Sequence, residues 1–130
     1  GVSLAAGGGS WSSLSDRAAK ENIEPVNGRE VLERLSAIPI STWNYISQDD
    51  VVRHMGPMAQ DFHSAFGLGV SERTIDTIDP DGVALAAIQG LHEMVEERDE
   101  TIADQATRID DLERRLVEML ERLDAVEQNR

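Results

Sequence analysis

The chain has 130 residues, with 25 acidic against 12 basic side chains and a formal net charge of −13 at pH 7. That length suits one small folded unit plus an extension, and that charge argues against nucleic acid and anionic membranes as partners, because basic patches supply most of the affinity for both. With no cysteine there are no disulfides or thiolate metal sites, and no apolar run approaches the roughly 20 residues of a membrane span.

Residues 1–14 are small and polar apart from Trp11, and Gly7-Gly8-Gly9-Ser10 has the composition of a flexible link. No secretory signal is read at Gly1, and this stretch reads as the end of an upstream region with no core of its own. Next comes Leu14-Ser15-Asp16-Arg17-Ala18-Ala19-Lys20, which holds the only lysine of the chain; every other basic side chain is an arginine. A lysine amine sheds its proton once burial disfavours the charged form, whereas a guanidinium keeps its proton, so Lys20 alone is suited to act as a base beside a serine. The competing reading is a lone surface lysine left by an arginine-rich composition. Asp16 is expected to cap the turn that follows it.

Asn27 and Glu30 have capping-box spacing, Val31, Leu32, Leu35 and Ile38 share one helical face, and Pro39 ends the pattern. Residues 40–46 and 51–55 read as two strands joined by the turn Ser47-Gln48-Asp49-Asp50. A helix is expected over 58–66, closed by Gly67, and a strand over 74–78, followed by a turn at Asp79-Pro80-Asp81-Gly82. Asp76, Asp79 and Asp81 lack the closing glutamate of a calcium loop, and no cofactor or metal is expected. His63 and His92 read as surface residues.

From Ile88 the pattern becomes heptad. Ile88, Val95, Ile102, Ile109, Leu116 and Leu123 fall at a, and Leu91, Arg98, Gln105, Leu112, Met119 and Val126 at d. Such a register predicts a coiled coil, roughly 58 Å long over 88–126 at about 1.5 Å per residue, since an isolated soluble helix of this length is unstable. Arg108 and Arg122 at g can reach Glu113 and Glu127 at e of a neighbouring chain, which favours parallel strands. Isoleucine at a, with Arg98 and Gln105 at d, favours three chains over two. The predicted fold class is therefore α+β: residues 15–87 a small mixed globular part, 88–130 the stalk of a parallel trimer.

Taken together, the opening Ser15-Asp16…Lys20-Glu21-Asn22-Ile23, then Val31 to Leu35, Trp43-Asn44-Tyr45, Gly56-Pro57-Met58-Ala59-Gln60-Asp61, Asp81 to Leu85 and the terminal heptads form an ordered set. This set resembles the intramolecular chaperone domain of phage tail spikes and fibres, the self-cleaving endosialidase C-terminal domains of the peptidase S74 family, also found in myelin regulatory factor. The resemblance implies a homotrimer that assists folding of an upstream β-rich region and then cuts itself off. It implies Ser15 as nucleophile, Lys20 as general base and the Leu14-Ser15 bond as the point of cleavage; His54, on a strand just before Gly56, reads first as a structural residue, with support of the cleavage site or an oxyanion as the weaker reading. It also implies a tail fibre, tail spike or bacterial surface protein as the setting, with release after maturation. The alternative is a trimerisation cap of the same fold that never cuts.

Overall fold

Residues 2–129 are described in the computed structural model, which is α+β: two small antiparallel sheets, short helices and one long C-terminal helix. Strands β1 (Val2–Ser3) and β2 (Ser12–Ser13) pair with Val2 opposite Ser13, and every described residue up to Asn27 is exposed. A 3-10 turn at Arg17–Ala19 interrupts the extended path that follows.

Helix α1 (Gly28–Ala37) starts where the sequence places it. Asn27 Oδ1 accepts from the backbone N–H groups of Arg29 at 3.0 Å and Glu30 at 3.2 Å, satisfying two donors that no helical carbonyl reaches. Glu30 does not complete the capping box; it pairs with Arg34 one turn on. The helix stops at Ile38, which takes the extended conformation that a following proline imposes.

Strands β3 (Ser41–Trp43) and β4 (His54–Gly56) pair with Trp43 opposite His54. Both are shorter than the sequence predicts, and side chains bond to backbone groups within and just beyond β3. Tyr45 N–H donates to Gln48 Oε1 at 3.1 Å, and the Arg53 guanidinium donates to the Thr42 carbonyl at 2.8 Å. Helix α2 (Ala59–Phe66) closes at Gly67, whose φ of +64° is a left-handed cap that favours glycine, with its N–H on the His63 carbonyl at 2.8 Å.

The predicted strand at 74–78 does not form. Ile75 packs on the core, but the segment has no strand partner, and the long helix α3 (Ile78–Gln128) begins there instead of after Gly82. Pro80 is no obstacle in the first turn, where its missing N–H is one that no helical carbonyl would have met. Asp79-Pro80-Asp81-Gly82 is thus the start of a helix and not a turn.

The core is thin. Ile38, Phe62 and Val83 are buried, with Val31, Leu35, Ala65, Phe66 and Ile75 packed around them, and no described side chain is wholly sealed from solvent. Each large aliphatic or aromatic side chain so buried contributes about 1.5–3 kcal/mol. Val83, Ala86, Ala87 and Gly90, at helical spacing, form the buried face of α3. On that face Gly90 meets the backbone of α1: a Cβ on Gly90 would lie 2.3 Å from the Gly28 carbonyl carbon and oxygen. Ile88 and Leu91, on another side of the same turns, are 62% and 50% exposed.

The chain forms two units, Gly1–Leu91 and His92–Arg130. In the second, the aliphatic residues at a and d, from Val95 to Val126, lie open to solvent along a continuous helix. None of the described helices is long and apolar enough to cross a membrane.

The pKa of Asp79 is raised above the usual carboxylate range, first by desolvation and then by the charge of Asp76. A raised acid favours the folded state at pH below its unfolded value, and that advantage is lost as pH rises through the folded value. Asp79→Asn is therefore expected to melt at a higher temperature than the parent at pH 7, with the gap closing at pH 3. Melting curves at the two pH values check this.

Candidate active site

The segment after β2 brings Ser15 and Lys20 together. Asp16 takes an extended conformation and its Oδ1 accepts from Ala18 N–H at 2.9 Å, which starts the Arg17–Ala19 turn. Backbone bonds from Ala19 to Asp16 and from Lys20 to Arg17 close it. That single tight turn reverses the chain enough for Lys20 Nζ to donate to Ser15 Oγ at 2.7 Å. Asn22 then adopts a φ of +53°, a left-handed conformation that asparagine tolerates better than most side chains, before the chain runs on to Ile23.

Ser15, Arg17, Lys20 and Ile23 line an open cleft of about 220 Å³. A second shallow cleft on the strand side is bordered by Ser12, Ser13, Leu14 and Ser15. The Leu14-Ser15 bond therefore lies between two hollows, with the Ser15 hydroxyl held from one side. Ser15 and Lys20 are both exposed.

Residues 15–70 match the family model of Peptidase_S74, the chaperone of endosialidase. The resemblance read from the motifs is borne out over that segment, which begins at Ser15 itself. The S74 match takes in the 3-10 turn, α1, both strands of the second sheet and α2, and it ends before α3. By name this family is a peptidase and by description a chaperone. No curated protein matches the chain.

Within the S74 segment His54 has other company. Its Nε2 lies 2.9 Å from Gln48 Oε1, and its ring packs against Trp43 at 4.9 Å and Tyr45 at 5.5 Å between centroids. None of its described partners belongs to the Ser15 and Lys20 pair. His63 Nδ1 lies 2.9 Å from the Leu68 carbonyl, and His92 pairs with Glu96.

Two features escape a reading of motifs alone. The aromatic cluster is one: Tyr45, two residues past the last residue of β3, meets Trp43 edge-on at 5.0 Å between centroids, and His54 is Trp43's cross-strand partner. The contact of Gly28 with Gly90 is the other. Its only signal in the sequence is a glycine inside a helix, where alanine would be about 1 kcal/mol better unless a neighbour needs the space.

Proposed function

We propose that this chain is a self-releasing folding chaperone: it trimerises through residues 88–126, assists an upstream β-rich region of its own polypeptide, and cuts the Leu14-Ser15 bond once. The observation that carries the reading is the Lys20 Nζ to Ser15 Oγ hydrogen bond of 2.7 Å at the residue where the S74 match begins.

A serine hydroxyl is a poor nucleophile at neutral pH and needs a base beside it. In the proposed reaction Ser15 Oγ attacks the Leu14 carbonyl carbon as its proton passes to the neutral Lys20 amine. The C–N bond of the resulting tetrahedral adduct breaks, and the proton goes on to the Ser15 nitrogen. This leaves Leu14 as an ester on Ser15 Oγ. Water, deprotonated by Lys20, then hydrolyses the ester to a Leu14 carboxylate and a free Ser15 hydroxyl, with Ser15 now N-terminal. Nucleophile and carbonyl belong to adjacent residues, so their effective concentration is high without a separate substrate pocket.

The base role requires a neutral amine, and exclusion of water favours the neutral form. In the single chain Lys20 is exposed; packing against companion chains is the proposed source of desolvation. The open aliphatic stripe of α3 supports such packing. So do Arg108, Glu113, Arg122 and Glu127, which among the described residues form no ion pair within the chain and are free for the interchain pairs that a parallel coil would make. Linking three chains raises the local concentration of whatever lies upstream, and this is how the coil would assist folding. A phage tail fibre, tail spike or bacterial surface fibre is the setting this reading gives.

The test is the mass of a longer polypeptide carrying its native upstream region. Two fragments are expected, one of them beginning at Ser15 and running as three chains in light scattering. An intact polypeptide that still forms trimers would mark a cap that does not cut.

A further inference from the structure

A further hollow lies away from Ser15. It is an open cleft of about 550 Å³, within the size range of ligand sites, with Trp43, Tyr45, Met58, Arg73 and Ile75 among the residues that line it. Its polar groups include donors that are left unused. Trp43 Nε1 is buried with no acceptor, and among the described residues nothing accepts from the Arg73 guanidinium. A buried donor without a partner is uncommon in a finished structure, and, among the described residues, the exposed Arg73 guanidinium is an unpaired positive charge at the edge of the cleft in the single chain.

The same chain holds a segment with the opposite chemistry. In Glu21-Asn22-Ile23-Glu24-Pro25-Val26, Ile23 is 62% and Val26 is 69% exposed, and neither Glu21 nor Glu24 has an ion-pair partner among the described residues. One is a cleft of apolar walls and donors; the other is an exposed strip of aliphatic and acceptor groups. Although one chain carries both, both remain uncovered in it.

We propose that the cleft receives residues 21–26 of a second copy of this chain, with Ile23 and Val26 against Trp43 and Ile75 and the Glu24 carboxylate on the Arg73 guanidinium. Charge complementarity selects the occupant, since bidentate arginine–carboxylate pairing is the strong form of such contacts. The inference rests on the self-association read above, because α3 is what brings copies together. It also ties the two roles: the strip begins at the residue after Lys20, so seating it on a neighbour fixes the cleavage segment only once chains have assembled.

The absence of cysteine allows a clean test. Ile23→Cys and Thr74→Cys are placed on separate chains of different mass, each also carrying Ser15→Ala so that cutting plays no part, and the two are co-expressed and treated with a short bis-maleimide. A mixed cross-linked pair is expected. Arg73→Glu on the Thr74→Cys chain should lower its yield about tenfold, and Glu24→Arg on the Ile23→Cys chain should restore it, which a merely unfolded variant would not do. Trimers in light scattering without the mixed pair would overturn this docking and leave the trimer reading intact. A cross-link formed only when both cysteines share one chain would overturn it in favour of intrachain seating. Single chains in light scattering would remove the trimer reading as well.

Discussion

Ser15→Ala, expressed with the native upstream region, is expected to remain one full-length band on a denaturing gel under conditions in which the parent gives two. Removing Oγ removes both the proposed attacking atom and the acceptor of the 2.7 Å hydrogen bond from Lys20. Lys20→Ala should slow cutting by about 10²- to 10⁴-fold, the usual contribution of a positioned general base. Lys20→Arg is the sharper variant. It keeps a long cation and a donor near Ser15 but supplies a group that stays protonated, so it should be as slow as the alanine variant if the lysine works as a base. If Lys20→Arg cut at the parental rate, the lysine would be acting as a donor or as a positive charge. Trimer formation by each variant, read by light scattering, separates lost chemistry from lost assembly.

Gly90→Ala is expected to destabilise the folded part, although alanine is the better helix former by about 1 kcal/mol. A Cβ there would sit 2.3 Å from the Gly28 carbonyl and 2.6 Å from Arg29 N, and these are backbone atoms that cannot swing aside. Gly28→Ala meets the same contact from the other side, 2.7 Å from the Ala86 carbonyl oxygen and 2.8 Å from Gly90 N. Overpacking of this kind costs about 1–3 kcal/mol, a large share of the stability of a small domain with so thin a core. Gly82→Ala provides the contrast within the same helix. Nothing lies within 4 Å of its Cβ position, so there the helix preference acts alone and a gain of about 0.5–1 kcal/mol is expected. Urea unfolding of the three variants gives the signs directly; destabilisation by Gly82→Ala and none by Gly90→Ala would mean that α1 and α3 do not cross at this point.

Much of the local structure was legible because it is made by neighbours in sequence. Asn27 caps the helix it precedes, Gly67 ends α2 in the left-handed conformation, Asp16 starts the turn that lets Lys20 reach Ser15, and the heptad spacing marks the apolar stripe of α3. What was misread depended on partners that a local pattern does not contain. The Thr74 to Ile78 run has a strand's composition but no strand beside it, and α3 extended back through Pro80 because a proline in a first turn forfeits nothing. Past the end of β3 the Tyr45 N–H is taken by Gln48, a contact set by side-chain reach. Gly28 and Gly90, 62 positions apart, look like two unrelated helix-weakening residues until they are seen to touch.

The exposure of every described residue up to Asn27 bears on whether the proposed reaction can run backwards. Cutting at Leu14-Ser15 would part residues that are all exposed within the chain, so the single chain has no buried core that would hold the new carboxylate next to the new amine. While the bond is intact, carbonyl and hydroxyl meet at an effective concentration set by one residue of chain; once the ends part, that advantage vanishes. Scission at such a place acts as a ratchet, with directionality that comes from diffusion of the ends and requires no stored strain.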